Sequence, residues 1–215
     1  AVSTLAKRYP QIIPSFGLHP WFVHNRSSNW LKRLEEKIDN YGSAVGEVGL
    51  DRGKKNQKYN EQEEVFLSQL QLSTERNIPV SIHCIKAWDQ IYNLLQDNPI
   101  PKRGFLLHGF SGPAEMIKPL NDLGAYFSFS GSFTHPKKAR HRNNFCKIPA
   151  NRLLIETDAP YQSMPDNFTT YHLDGKLNHP ANINSLYKIA ADSIGITYEK
   201  LTEIAEENFL RFFGN

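Results

Sequence analysis

Five side chains able to do acid–base or metal chemistry, His19, Glu47, His83, His108 and Asp158, stand at or just past the C-terminal ends of different apolar runs. His83 closes PVSIHC (79–84) and His108 closes the apolar part of GFLLHGF (104–110). Either histidine alone fits a core imidazole bonded to a carbonyl. As a pair on neighbouring strands about 4.8 Å apart they could share a metal, because neutral imidazole is its commonest ligand. Glu47 lies in AVGEVGL (44–50), and Asp158 ends RLLIETD (152–158). A carboxylate in such apolar company is costly to bury unless a cation or a Lys/Arg partner compensates it. Two imidazoles and two carboxylates suit zinc or another divalent transition metal. One carboxylate can bridge two metals about 3.5–4 Å apart, the arrangement used for phosphodiester hydrolysis.

The elements that must hold these groups are six runs of strand length: residues 12–17, 44–50, 79–84, 104–110, 125–131 and 152–158. Helical stripes separate them. Trp30, Leu31, Leu34, Ile38 and Tyr41 form one, and Val65, Phe66, Leu70 and Leu72 another. Ile91, Leu94 and Leu95 form the next, followed by Met116, Ile117, Leu120 and Leu123 with Gly124 as the stop signal. Val2, Leu5 and Ala6 suggest a short first helix ended by Pro10, and two helices over about 182–194 and 198–213 close the chain, with Thr197 as N-cap of the last. Strand and helix alternate, so the fold is parallel α/β. No GxGxxG or GxxxxGK[ST] loop is present to mark an open nucleotide-binding sheet. Polar groups gathered at strand ends instead favour a (β/α)8 TIM-type barrel, where those ends meet on one rim. Six runs against eight barrel strands imply that the barrel is incomplete.

The chain of 215 residues has 40% hydrophobic and 22% charged residues, which excludes disordered, collagen-like and rod-like classes. No apolar run reaches the ~18–20 residues of a membrane span. Two cysteines, Cys84 and Cys146, are too few for a disulfide framework and suit a reducing, intracellular compartment, cytoplasmic or nuclear. A net charge of +3 is compatible with a nucleic-acid partner without requiring one.

GLHP (17–20), GEVGLD (46–51), PVSIHC (79–84), LLHGFSG (106–112) and LLIETDAPY (153–161) resemble, in order and spacing, the signature segments of the TatD-type metal-dependent deoxyribonucleases. GKLNHP (175–180) and Asn208 in EENFLRFF extend the likeness over the whole chain. The resemblance implies a single hydrolase domain over residues 1–215, with a metal-dependent-hydrolase barrel and 3′–5′ exodeoxyribonuclease-like activity. It implies one or two divalent ions (Zn, Mg or Mn) and a DNA substrate, single-stranded or at 3′ ends. On the matching positions Glu47 is the bridging ligand, His83 and His108 hold one metal, and Asp158 helps hold the other and serves as general base.

Three departures from the family pattern stand out. The family's His-x-His at the end of its first strand has no counterpart here, and the first two strands are expected to be absent. A fragment, a shortened isoform and a protein with a depleted metal site all fit. Such an open barrel would expose sheet edges and be poorly stable or self-associating. Ile85 stands where the family often has Arg, with Lys86 next to it, and His179 stands where the family usually has Glu.

Substrate contacts are expected from His19, Lys86 and Tyr161. KKARHR (137–142) and Arg26 are further candidates by charge, and Trp21 and Phe110 by stacking. Each has a plainer reading as solvated surface or rim packing. Two rivals to the nuclease stay open: hydrolysis of a small amide or ester on the same scaffold, and a non-catalytic interaction protein.

Overall fold

The computed structural model describes residues 2–41, 44–53 and 58–214. They form two compact units, Ala1–Leu107 with Phe212–Asn215, and His108–Arg211.

The first unit holds α1 (Val2–Arg8), β1 (Ser15–Phe16), α2 (Trp30–Tyr41), β2 (Ala44–Asp51), α3 (Tyr59–Arg76), β3 (Val80–Ile85), α4 (Trp88–Asp97) and β4 (Phe105–Leu107). Its strands pair in parallel in chain order, β1 with β2, β2 with β3 and β3 with β4. β2 is buried along nearly its whole length, which explains its unbroken apolar sequence. The register between β2 and β3 slips by one residue, from Val45 opposite Val80 to Val48 opposite Ile82. Glu47 lies in that irregularity. Bulges of this kind re-aim a side chain near active sites. Gly49 then meets His83 across the ladder, and a Cβ at Gly49 would lie 2.0 Å from the His83 carbonyl oxygen.

Helix α3 buries Gln62, Val65, Phe66, Gln69, Leu70 and Ser73, a stripe of helical period that mixes apolar and amide groups. Asn77 ends it in the left-handed conformation, which asparagine tolerates better than most residues. The buried stripes of α2 (Leu34, Ile38) and α4 (Ile91, Leu95) have the expected four-residue spacing.

The second unit contains α5 (Ile117–Asp122), β5 (Ala125–Ser130), α6 (Ala139–Phe145), β6 (Leu153–Glu156), α7 (Ile183–Ile194) and most of α8 (Tyr198–Phe213). β5 and β6 pair in parallel from Phe127–Leu153 to Ser130–Glu156. Phe127 packs edge-on against Phe110, and Phe129 against Phe133 and Phe145, with centroids 4.9–5.4 Å apart. Gly124 follows α5 with φ 96°, as its stop signal implies. Thr197 Oγ1 accepts the Lys200 amide at 3.1 Å, the expected cap of α8. Asn208 is buried on that helix and donates to the carbonyls of Ala150 and Leu153, tying α8 to the start of β6.

The long polar segment 160–180 is stitched rather than loose. Asn178 Nδ2 donates to the Thr157 carbonyl at 2.9 Å and to that of Gln162 at 3.3 Å, and its Oδ1 accepts from Asn182 at 3.1 Å. Asn182 in turn donates to the Tyr171 carbonyl and accepts the amides of Thr170 and Tyr171. Both asparagines are buried, so their amides satisfy loop groups that water does not reach.

Candidate active site

In the first unit, β3 carries His83 with both ring nitrogens engaged. Nδ1 lies 2.6 Å from Glu47 Oε1, and Nε2 lies 3.1 Å from Asp51 Oδ2. His19 opens a 3-10 turn over Pro20–Asn25, and its Nε2 lies 3.6 Å from Glu47 Oε1. Ligand atoms of His19, Glu47 and His83 all fall within 4.8 Å of one another. A divalent cation with nitrogen and oxygen ligands at about 2.0–2.2 Å fits that spacing.

Asp51, the last residue of β2, is 3% exposed. Its carboxylate accepts the Trp21 indole N–H at 2.5 Å, the Gly53 amide at 2.6 Å and the His83 ring. Burial pushes its pKa upward, but these hydrogen bonds outweigh it and hold the carboxyl below its ordinary range. Gln62 on α3 accepts the Asp51 amide at 2.9 Å, and Gln69 accepts the Leu18 amide at 2.6 Å. One helix thus fixes both the end of β2 and the loop that bears His19.

In the second unit, His108 follows β4, and its Nδ1 lies 3.0 Å from Glu156 Oε1. Glu156 Oε2 accepts the Ser128 hydroxyl at 2.6 Å, and Ser128 Oγ accepts the Gly109 amide at 3.0 Å. Asp158 lies just past β6, half-buried, with φ 58°. Its carbonyl accepts the Tyr161 amide at 2.9 Å, so Asp158 opens the turn that the Asn178 side chain clamps.

Of the four residues expected to share a cation, Glu47 and His83 are in contact within the first unit. His108 in the second unit is backed by Glu156. His19 joins Glu47 and His83 by distance. Lys86 is exposed just past β3, with φ 54°, and Tyr161 is 73% exposed after the Asp158 turn. Other expected contacts differ. Phe110 is buried in the phenylalanine core, which rules out stacking on a substrate from that position. Arg26 is paired with Glu61 at 2.5 Å and Glu64 at 3.7 Å, so its charge is already answered. Trp21 is part-exposed, and its indole nitrogen serves Asp51. In KKARHR, Lys137, Lys138 and Arg140 are exposed, while Arg142 donates to the Phe133 carbonyl. His179 caps a 3-10 turn by accepting the Ala181 amide at 3.0 Å, which gives its departure from the family pattern a local structural role.

Asp51 and Glu156 are absent from the sequence-based site. The signal for both was alternation: Asp51 shares a strand with Glu47, and Glu156 stands two residues before Asp158.

The family model for TatD-related DNases matches residues 1–214. The chain belongs to that family. It is 31% identical over 216 residues to the 3'-5' ssDNA/RNA exonuclease TatD of Escherichia fergusonii, covering 98% of this chain and 81% of the relative. It is 29% identical over 214 residues to the uncharacterized metal-dependent hydrolase YabD of Bacillus subtilis, covering 97% and 80%. The crystal structure of YJJV, a TatD homologue from Escherichia coli K12, superposes with a TM-score of 0.90 at 25% identity, over 100% of this chain and 81% of that one. The fold is therefore the α/β class of the TIM-type metal-dependent hydrolases, with six of a closed barrel's eight strands among the described residues. This TatD-family chain is a metal-dependent hydrolase by kinship, and its strand-end His and carboxylate groups suit a divalent cation. Among the described residues no helix is long and apolar enough to cross a membrane.

Proposed function

We propose that the chain, acting as one hydrolase domain over residues 1–215, cleaves DNA phosphodiesters from 3′ ends, with single strands as substrate. The reading rests on one observation above all: His83 is held between Glu47 and Asp51, so a strand-end imidazole and carboxylate converge where a cation would be needed. The name of the Escherichia fergusonii relative supports a nucleic-acid substrate. Glu47, His83, His108 and Asp158 would hold one or two divalent ions, Zn, Mg or Mn. When bound, such an ion polarises the phosphate and makes water a better nucleophile. Asp158 accepts the proton of the attacking water. Asn178 keeps the turn beneath Asp158 in place. Lys86 supplies positive charge for a phosphate, Tyr161 a face on which a base can stack, and His19 a further contact to the phosphate. Two unpaired cysteines suit an intracellular, cytoplasmic or nuclear, setting.

The test is a 5′-labelled single-stranded oligonucleotide with the purified chain, titrated with zinc, magnesium or manganese. The expected result is stepwise shortening that falls at least about 100-fold in Glu47→Gln. Equal cleavage by the variant would overturn the site. Cation binding without cleavage of DNA would favour an ester or amide hydrolase or a binding role.

A further inference from the structure

The imidazoles of His19, His83 and His108 do not carry their protons alike. The Trp21 backbone N–H points at His19 Nδ1, 3.1 Å away. A backbone amide only donates, so Nδ1 is the lone-pair nitrogen and the ring proton resides on Nε2. That protonated nitrogen is the one facing Glu47. A nitrogen that bears a proton has no lone pair for a cation.

His83 and His108 are arranged the other way. His83 faces a carboxylate at both nitrogens, Glu47 at Nδ1 and Asp51 at Nε2, and His108 faces Glu156 at Nδ1. A carboxylate accepts, which keeps a proton on Nδ1 of His108 and leaves Nε2 as its ligand atom. In His83 either nitrogen can carry the proton. With the proton at Asp51, Nδ1 is the ligand atom, and it faces the Glu47 carboxylate where His19 Nδ1 faces the Trp21 amide.

The cause lies in the local sequence. Pro20 has a fixed φ and no N–H, so it fits the first position of the 3-10 turn, and His19 becomes the cap. The same His-Pro turn recurs at His179–Pro180, where Nδ1 accepts the Ala181 amide at 3.0 Å. The cap is therefore made by the turn itself and does not depend on a cation nearby.

We propose that His19 is no cation ligand but a catalytic N–H donor, its Nε2–H directed to a non-bridging oxygen of the phosphate ester. The proposal deepens the phosphodiesterase reading and rests on it for the ligand class. Distance alone groups His19 with Glu47 and His83, and the hydrogen bond on its far nitrogen separates it from them.

Long-range proton–nitrogen correlation spectra of the 15N-labelled chain, metal-free and zinc-loaded, test this directly. His19 should show the Nε2–H pattern in both states. Calorimetry with zinc should give His19→Asn an affinity within about twofold of the parent, while His83→Gln loses at least about 50-fold. Asparagine can still cap the turn. Inorganic phosphate should bind the zinc-loaded His19→Asn variant about tenfold more weakly than the parent. Loss of the His19 Nε2–H signal on zinc loading would overturn the assignment. So would equal zinc losses in the two variants, or unchanged phosphate binding. Should the variant fail to fold, the spectra of the parent chain still decide. None of these readouts needs cleavage, so a chain that binds phosphate yet leaves DNA intact removes the nuclease reading and leaves His19 as an N–H donor to a phosphate oxygen.

Discussion

Asp51 shows how much of a site can stand one layer behind the obvious groups. It receives an indole, an amide and an imidazole within 3.1 Å, and only the last belongs to a residue that the sequence marks for chemistry. Asp51→Asn keeps the size of the side chain but turns one acceptor into a donor, which opposes either the Gly53 amide at Oδ1 or both Trp21 and His83 at Oδ2. Cation affinity measured by calorimetry should fall about 10–100-fold, with a far smaller change in the urea midpoint. An unchanged affinity would reduce Asp51 to a structural residue. The sequence singles out Glu47, His83, His108 and Asp158 because charged or imidazole groups in apolar strands demand a reason, and among them Glu47 and His83 are in contact. Asp51 and Glu156 were hidden because each lies within a few residues of a more conspicuous group, Glu47 on the same strand and Asp158 just past the end of β6. Phe110 and Arg26 misled for the opposite reason: type and position suggested a substrate contact, whereas burial and the Glu61 pairing consume both.

At the scale of elements, the alternation of periods located every strand and all the longer helices. Strands were shorter than their apolar runs at both ends of the series: Ser15–Phe16 within residues 12–17 and Leu153–Glu156 within 152–158. The surplus residues enter loops, exposed at Ile12 and Ile13 and half-buried at Thr157 and Asp158. Pro20 with the His19 cap favours the 3-10 turn Pro20–Asn25, and the Ser130 cap favours the turn Gly131–Thr134; periodicity detects neither because each lasts only a few residues. The slip in register between β2 and β3 was likewise invisible, since it depends on pairing rather than on composition. Its tightest point gives a prediction. Gly49 has φ 137°, and its missing Cβ would collide with the His83 carbonyl. Gly49→Ala should cost about 3 kcal/mol or more, read from urea unfolding, because strain and overpacking add. A loss below about 1 kcal/mol would mean that β2 and β3 slide apart easily.

For the whole molecule, the sequence identified a parallel α/β hydrolase scaffold. It did not foresee that the chain divides into two compact units, with Phe212 onward returning to the first. Composition is nearly uniform along the chain, so no linker marked the division. In the first unit β1 pairs with β2 alone among the described strands, and Ile12 and Ile13 just before it are exposed. Exposed apolar groups beside a short edge strand promote pairing between copies. Sedimentation velocity should show a concentration-dependent dimer or larger species, reduced by Ile13→Lys. A monomer at all concentrations with cooperative unfolding would contradict that expectation.

Helix α3 acts as a ruler. Gln62 grips Asp51, and Gln69, seven residues and about 10 Å further along the axis, grips Leu18 next to His19. Adding or deleting one residue between these glutamines would swing one grip through about 100° and break its hold, whereas exchanges on the exposed face of the same segment leave both intact. Natural variation in this stretch should accordingly spare its length, however freely its outer surface drifts.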